Sequence, residues 1–202
     1  HESIINRRKV AMIMHRPSEK YKKHFDKLFN AIEEQAKYKP YLFPVKINKR
    51  KDWNREYTQR TRSFLYATLG MIFAEMFELS EIRFYENGIV SLNLPIAEQV
   101  VGTRATRTTH PKVLKGFATL FSLIADRKIE VNNPFMWKTK KEIIDIIVES
   151  QNADLIQHSI SCAHVWETDK GKTHCGACSQ CIDRKFAVLA ANAEKYDPQD
   201  NY

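Results

Sequence analysis

The sequence predicts an α/β fold built on a parallel sheet and closed by a C-terminal metal-binding element. Short apolar runs alternate with helical patterns, in the order strand–helix–strand–helix–strand, as far as residue 88. All 4 cysteines fall in the last quarter of the chain, and Cys175, Cys178 and Cys181 form a tight C-x2-C-x2-C run. With 202 residues the chain has room for one domain with a true core and a small appendage. We expect residues 1–155 to form the α/β domain and 156–202 the metal element.

Lys9–His15 is an apolar run that ends in a polar turn, and it reads as a buried strand. Ser18 is placed to cap the helix that follows, which runs to about Lys37. There Tyr21, Phe25, Leu28, Phe29 and Ile32 recur at helical spacing against a charged face. Tyr41–Asn48 is the second strand, with Pro44 pushing it toward a sheet edge. Residues 57–79 form a long apolar helix, expected to be buried against the sheet. Glu81–Gly88 is the third strand, ending in a Glu-Asn-Gly turn.

The pattern from 89 to 110 is irregular. Pro111–Asp126 is a helix with proline in its first turn. Ile129–Phe135 reads as a short strand. Lys138–Ser150 is a helix with Thr139 as cap and Glu142 completing a capping box. Cys181–Ala193 is the last helix, and the tail Asp197–Tyr202 is expected to fray.

Three facts favour metal ligation over disulfides: no secretory signal at the start, clustering of the cysteines, and their spacing. We expect Cys162, Cys175, Cys178 and Cys181 to hold one structural zinc, with an iron–sulfur cluster as the alternative. Gly176 allows the tight turn around the ion. His164 and His174 flank the site as supporting or surface residues rather than ligands.

The net charge of +8 suggests anionic partners, without choosing among nucleotides, nucleic acid and phosphate. No apolar run approaches a membrane span. In a parallel sheet, ligands bind at the carboxyl ends of strands; here those ends are residues 15–18, 48–51 and 86–88. Glu86 and Asn87 suit the edge of a base or a ribose. Arg104, Arg107 and His110, interleaved with threonines, suit a carboxylate or phosphate. Arg60 and Arg62 stand near the start of the 57–79 helix, where an anion would offset their opposition to the helix dipole. Lys140 suits a phosphate, or simply a solvated helix start. For each basic stretch the alternative is an ordinary solvated face.

Taken together these motifs resemble the 7-cyano-7-deazaguanine synthase family of QueC-like PP-loop ATPases, including divergent relatives associated with anti-phage defence. The resemblance is most specific at Thr139–Glu142 and Ser161–Cys181, good at Arg60–Phe64 and Glu86–Gly88, and loose before residue 40. It implies a Rossmann-like parallel sheet of the nucleotide α-hydrolase type, with residues 1–155 forming part of that domain. It implies ATP with Mg2+, adenylation of a carboxylate on a 7-deazaguanine, and attack by an amine. Arg62, Glu86, Asn87, Arg104 and Lys140 would then face nucleotide or deazaguanine, and the cysteines would pin the last helix against the sheet.

The resemblance further implies a cytoplasmic setting, a homodimer, and in divergent members a protein substrate or defence partner. The family's Ser-Gly-Gly-x-Asp-Ser phosphate loop is absent from these 202 residues. With no initiator methionine, we expect a fragment with little turnover by itself, the intact protein being the enzyme. Two other functions stay open: a non-catalytic zinc-stabilised partner protein, and a basic nucleic-acid or tRNA-binding module.

Overall fold

The computed structural model describes residues 1–15, 19–46, 62–92, 108–164, 167–168 and 171–202. They are mixed α/β and divide into two compact units. One combines His1–Lys46 with Lys140–Tyr202, and the other is Ile47–Thr139.

In the first unit, β1 (Ala11–His15) and β2 (Tyr41–Val45) pair in parallel, in the register Ala11↔Tyr41 to His15↔Val45. Helix α1 (Glu19–Gln35) makes the crossover between them, as a parallel pair requires. Pro44 sits within β2 opposite Met14. Helices α5 (Lys140–Glu149) and α6 (Ser179–Ala190) pack on each other. A 3-10 turn at Ala153–His158 joins α5 and also meets α1. Ile144, Ala153, Ile156, Ala187, Val188 and Ala193 form the core here.

In the second unit, β3 (Glu81–Arg83) and β4 (Glu130–Asn132) are again parallel, in the register Glu81↔Glu130 to Arg83↔Asn132. Helices α2 (Arg62–Met76) and α4 (Pro111–Ala125) cover them. Ala67, Met71, Ala74, Ile82, Leu114, Phe121, Ile129 and Val131 make the core. Small residues let α2 approach the strand closely: a Cβ on Gly70 would lie 2.8 Å from Ile82 Cγ2. Among the described residues the strands therefore form two parallel pairs.

Helix α2 packs against β3, as expected of the sequence, through Ala67, Gly70, Met71 and Ala74, and leaves Phe64, Ile72 and Met76 exposed. Its composition lacks the polar face that periodicity needs to orient a helix, so sequence could not show which side packs. The third strand stops at Arg83, and Gly88–Leu92 winds into the short helix α3. Asn87 nucleates that turn: its side-chain oxygen accepts the Val90 N–H at 3.0 Å. The last helix begins at Ser179, with Cys178 as its N-cap, and ends at Ala190. No helix of the described residues is long and apolar enough to cross a membrane.

The tail is docked rather than frayed. The Asn201 carbonyl accepts the Thr173 and His174 N–H groups at 3.0 and 2.9 Å. The Tyr202 ring stacks on His174 with centroids 4.9 Å apart, and its hydroxyl donates to Asp197 at 2.6 Å. The Thr173 and His174 backbone and the His174 ring, far back in sequence where no local pattern reveals them, hold these residues.

Gly88 is required by space rather than by backbone angle. Its N–H donates to the Lys138 carbonyl at 2.8 Å. A Cβ there would lie 2.6 Å from the Met136 carbonyl oxygen, which is backbone and cannot swing away. Gly88→Ala should therefore cost about 1–3 kcal/mol of unfolding free energy. Urea melts of the two forms measure this, and coincident melts would contradict the close approach.

Candidate functional site

The cysteine site is built from one loop and one helix start. Cys162 follows the extended stretch 159–161, and Cys175 precedes Gly176, whose φ of 75° lies in the left-handed region that glycine accepts freely. Cys178 caps α6 and Cys181 lies in its first turn. All four Sγ atoms lie within 4.8 Å of one another. Cys162 and Cys178 sulfurs are 3.9 Å apart, and those of Cys175 and Cys181 are 4.0 Å apart. Sulfurs at about 2.3 Å from a tetrahedral zinc stand about 3.8 Å from one another, so the donor set fits that ion.

Backbone N–H groups are aimed at the sulfurs. His164 and Cys175 donate to Cys162 at 3.3 and 3.4 Å, and Cys178 donates to Cys175 at 3.3 Å. Such bonds stabilise thiolates before any cation arrives. The N–H groups of Ala177 and Cys178 lower the Cys175 thiol. At Cys178 burial opposes ionisation, but the N–H groups of Ala163 and Cys181 and the neighbouring thiols outweigh it, bringing the group to about 6. Burial raises Cys162, and burial followed by the Cys178 thiol pushes Cys181 up to about 12. Two sulfurs thus ionise readily and two resist, and a dication supplies what is needed for all four to do so.

Neither flanking histidine is placed as a ligand. His164 is exposed and pairs with Glu167 at 3.1 Å. His174 is 1% exposed. Its Nε2 accepts the Ser161 N–H at 3.2 Å, and Nδ1 faces Thr173 Oγ1 at 2.8 Å. Burial and then the Arg184 charge hold it down at about 4. It is therefore a neutral imidazole, protonated on Nδ1, that ties the two cysteine-bearing strands of chain together.

Beneath the site lies Arg184, three residues after Cys181. Its side chain and that of Asp197 are each only 4% exposed. Nε and Nη2 donate to Asp197 Oδ1 at 3.0 and 2.8 Å. Nη1 reaches the Ser159 hydroxyl at 2.7 Å, and Nη2 the Ile156 carbonyl at 2.7 Å. The sequence carried a signal for this: Arg184 lies on the same helix stripe as buried Ala187 and Val188. A cation in an apolar stripe implies a buried partner. Among the described residues the helix packs on α5 and shares a core with the 3-10 turn, and the cysteines anchor it there.

Of the other sequence-derived candidates, Arg60, Arg104 and Arg107 lie outside the described residues. Arg62 opens α2, with its guanidinium 5.7 Å from the Tyr66 ring centroid. Lys140 opens α5 and pairs with Asp183 of α6 at 2.5 Å. His110 accepts the Lys112 N–H at 3.2 Å and so caps α4. Glu86 and Asn87 are brought together with Thr108 and Thr109 of the threonine-rich stretch and with Ser91 and Asn133, which the sequence did not mark. Thr108 and Thr109 hydroxyls donate to Glu86 Oε2 at 3.1 and 2.5 Å. Asn133 donates to the Glu86 carbonyl at 2.8 Å and to the buried Ser91 hydroxyl at 2.7 Å.

Residues 107–192 match the family model described as queuosine biosynthesis protein QueC. A 7-cyano-7-deazaguanine synthase of Methanococcus aeolicus is 31% identical over 99 residues, covering 46% of this chain and 41% of that protein. One from Methanocaldococcus jannaschii is 35% identical over 72 residues, covering 33% of this chain and 29% of that protein. The matched stretches thus span less than half the length of these relatives. Over residues 107–192, which contain the four clustered cysteines together with α4, α5 and α6, the chain is QueC-like.

Proposed function

We propose that this chain serves an ATP-dependent ligase of the 7-cyano-7-deazaguanine synthase type. One observation carries the proposal: the family match runs over the same residues that fold into the cysteine cluster and the helices it anchors. The fold we infer around it is the PP-loop type, with the parallel pairs as parts of a Rossmann-like sheet. The chemistry is carboxylate activation. A 7-deazaguanine carboxylate oxygen attacks the α-phosphorus of magnesium-bound ATP, giving an acyl adenylate and pyrophosphate. An amine then attacks the acyl carbon and AMP leaves; with ammonia the primary amide then loses water to give the nitrile, whereas with a protein amine the reaction ends at the amide.

In this proposal Arg60, Arg62, Glu86, Asn87, Arg104 and Arg107 face nucleotide or deazaguanine. Lys140 reaches a phosphate only by leaving Asp183. The ion at the cysteines is zinc. Four thiolates close its coordination shell, so it supports α6 and takes no part in the reaction. The setting is cytoplasmic, with ammonia, or a protein amine in a divergent member, as the nucleophile.

The test is pyrophosphate release by the complete gene product with ATP, Mg2+, 7-carboxy-7-deazaguanine and an ammonium salt. Release that requires every component is expected. Silence with all deazaguanine carboxylates would end the proposal.

A further inference from the structure

Strands β3 and β4 are parallel and in register at Arg83↔Asn132, so residues 84–88 and 133–138 leave the pair at the same end. That is the end at which parallel sheets bind ligands. Glu86 is fixed there by the Thr108 and Thr109 hydroxyls on Oε2 and by Asn133 on its carbonyl. Thr109 and Asn133 are themselves buried. Two neutral hydroxyls orient a carboxylate without neutralising it. No cation among the described residues pairs with Glu86. A carboxylate held in this way is an acceptor for N–H donors.

On the segment that follows β4 lies Trp137, with 77% of its surface exposed. Tryptophan is on average well covered in folded proteins, so an indole this bare is informative. Its backbone is nevertheless pinned. The Lys138 carbonyl takes the Gly88 N–H at 2.8 Å, and the Met136 carbonyl oxygen would lie 2.6 Å from a Cβ on Gly88. Gly88 is two residues from Glu86. An oriented acceptor and an exposed aromatic ring thus share one strand end, the pairing of features by which proteins hold a planar base.

We propose that Glu86 and Trp137 recognise the heterobicycle of the substrate, Trp137 stacking on its face and Glu86 accepting from its ring N–H and exocyclic amine. The identity of that ring as a 7-deazaguanine rests on the function proposed above. The recognition itself is tested separately, with a ligand that cannot react.

Calorimetric titration of the chain with 7-deazaguanine, which has no carboxylate, is the experiment. Trp137→Ala should weaken binding about tenfold or more, while Trp137→Phe should retain most of it. Glu86→Gln keeps an oxygen for the two threonines but loses one acceptor. It should bind about tenfold more weakly and lose the preference of the parent for 7-deazaguanine over 7-deazahypoxanthine, which lacks the amine. Circular dichroism checks that each variant is folded. If Glu86→Gln does not fold, the two Trp137 variants decide the matter. No binding by the parent, or Trp137→Ala binding within twofold of it, overturns the inference. Binding through these residues without pyrophosphate release would overturn the proposed reaction and leave the recognition site standing.

Discussion

Removing the metal should unfold the C-terminal part of the chain. The sulfurs are brought within 4.8 Å of one another by a loop with few apolar residues, and burial pushes two of the four away from ionisation. His174, Arg184 and the docked tail support the loop, but four sulfurs this close together call for a cation. Structural zinc in small peptides contributes about 10–16 kcal/mol at neutral pH, comparable to the whole stability of a typical domain at about 5–15 kcal/mol. The expected result with a strong chelator is a loss of amide protection across 159–190 and a large fall in melting temperature. Metal analysis beforehand should find one zinc per chain. Cys181→Ser should be the most damaging single change, since that sulfur is fully buried, and Cys175→Ser the least, since Cys175 is exposed. A melting temperature unmoved by complete metal removal would show that packing alone holds the loop.

Arg184→Ala should be the most destabilising substitution outside the cysteines, at about 3–5 kcal/mol. It leaves Asp197 buried without its cation, strips the Ser159 hydroxyl of its donor and takes one of its donors from the Ile156 carbonyl. It also loosens Tyr202, whose hydroxyl depends on Asp197. Arg184→Lys should rescue little. An ammonium has no planar fork to serve Asp197, Ser159 and Ile156 together. Replacing both partners with apolar residues, Arg184→Met with Asp197→Leu, should recover much of the loss, because no charge is then stranded. Equilibrium urea unfolding gives these values. A loss below about 1 kcal/mol for Arg184→Ala would mean that water reaches the pair.

The parts of this molecule readable from sequence are those set by local chemistry. Pro111 and the cysteine spacing needed only neighbouring residues to be understood, and α4 and the cysteine cluster stand where those signals put them. What escaped was set by distance. Asp197 is meaningful only once Arg184 is beneath it, and a polar tail with no apolar stripe gives no hint that His174 will receive Tyr202. The same holds at the strand end. Glu86 and Asn87 could be marked as candidates, but Ser91 and Asn133 are ordinary polar residues until the fold places them against Glu86. Trp137 drew no notice because an aromatic residue after a strand is more often core.

The discontinuity of the first unit has a consequence for how the protein is made. Its N-terminal strand–helix–strand emerges from the ribosome early, while α5, the 3-10 turn that meets α1, and α6 come only after residue 139. At about 5–20 residues per second, on the order of ten seconds separates the two halves. During that interval Ile47–Thr139 is synthesised as one continuous segment and can reach its fold first. The first unit can close only when its late half arrives, and the cysteines that hold α6 belong to that half. The cysteine cluster therefore assembles after Ile47–Thr139 has been made rather than before it.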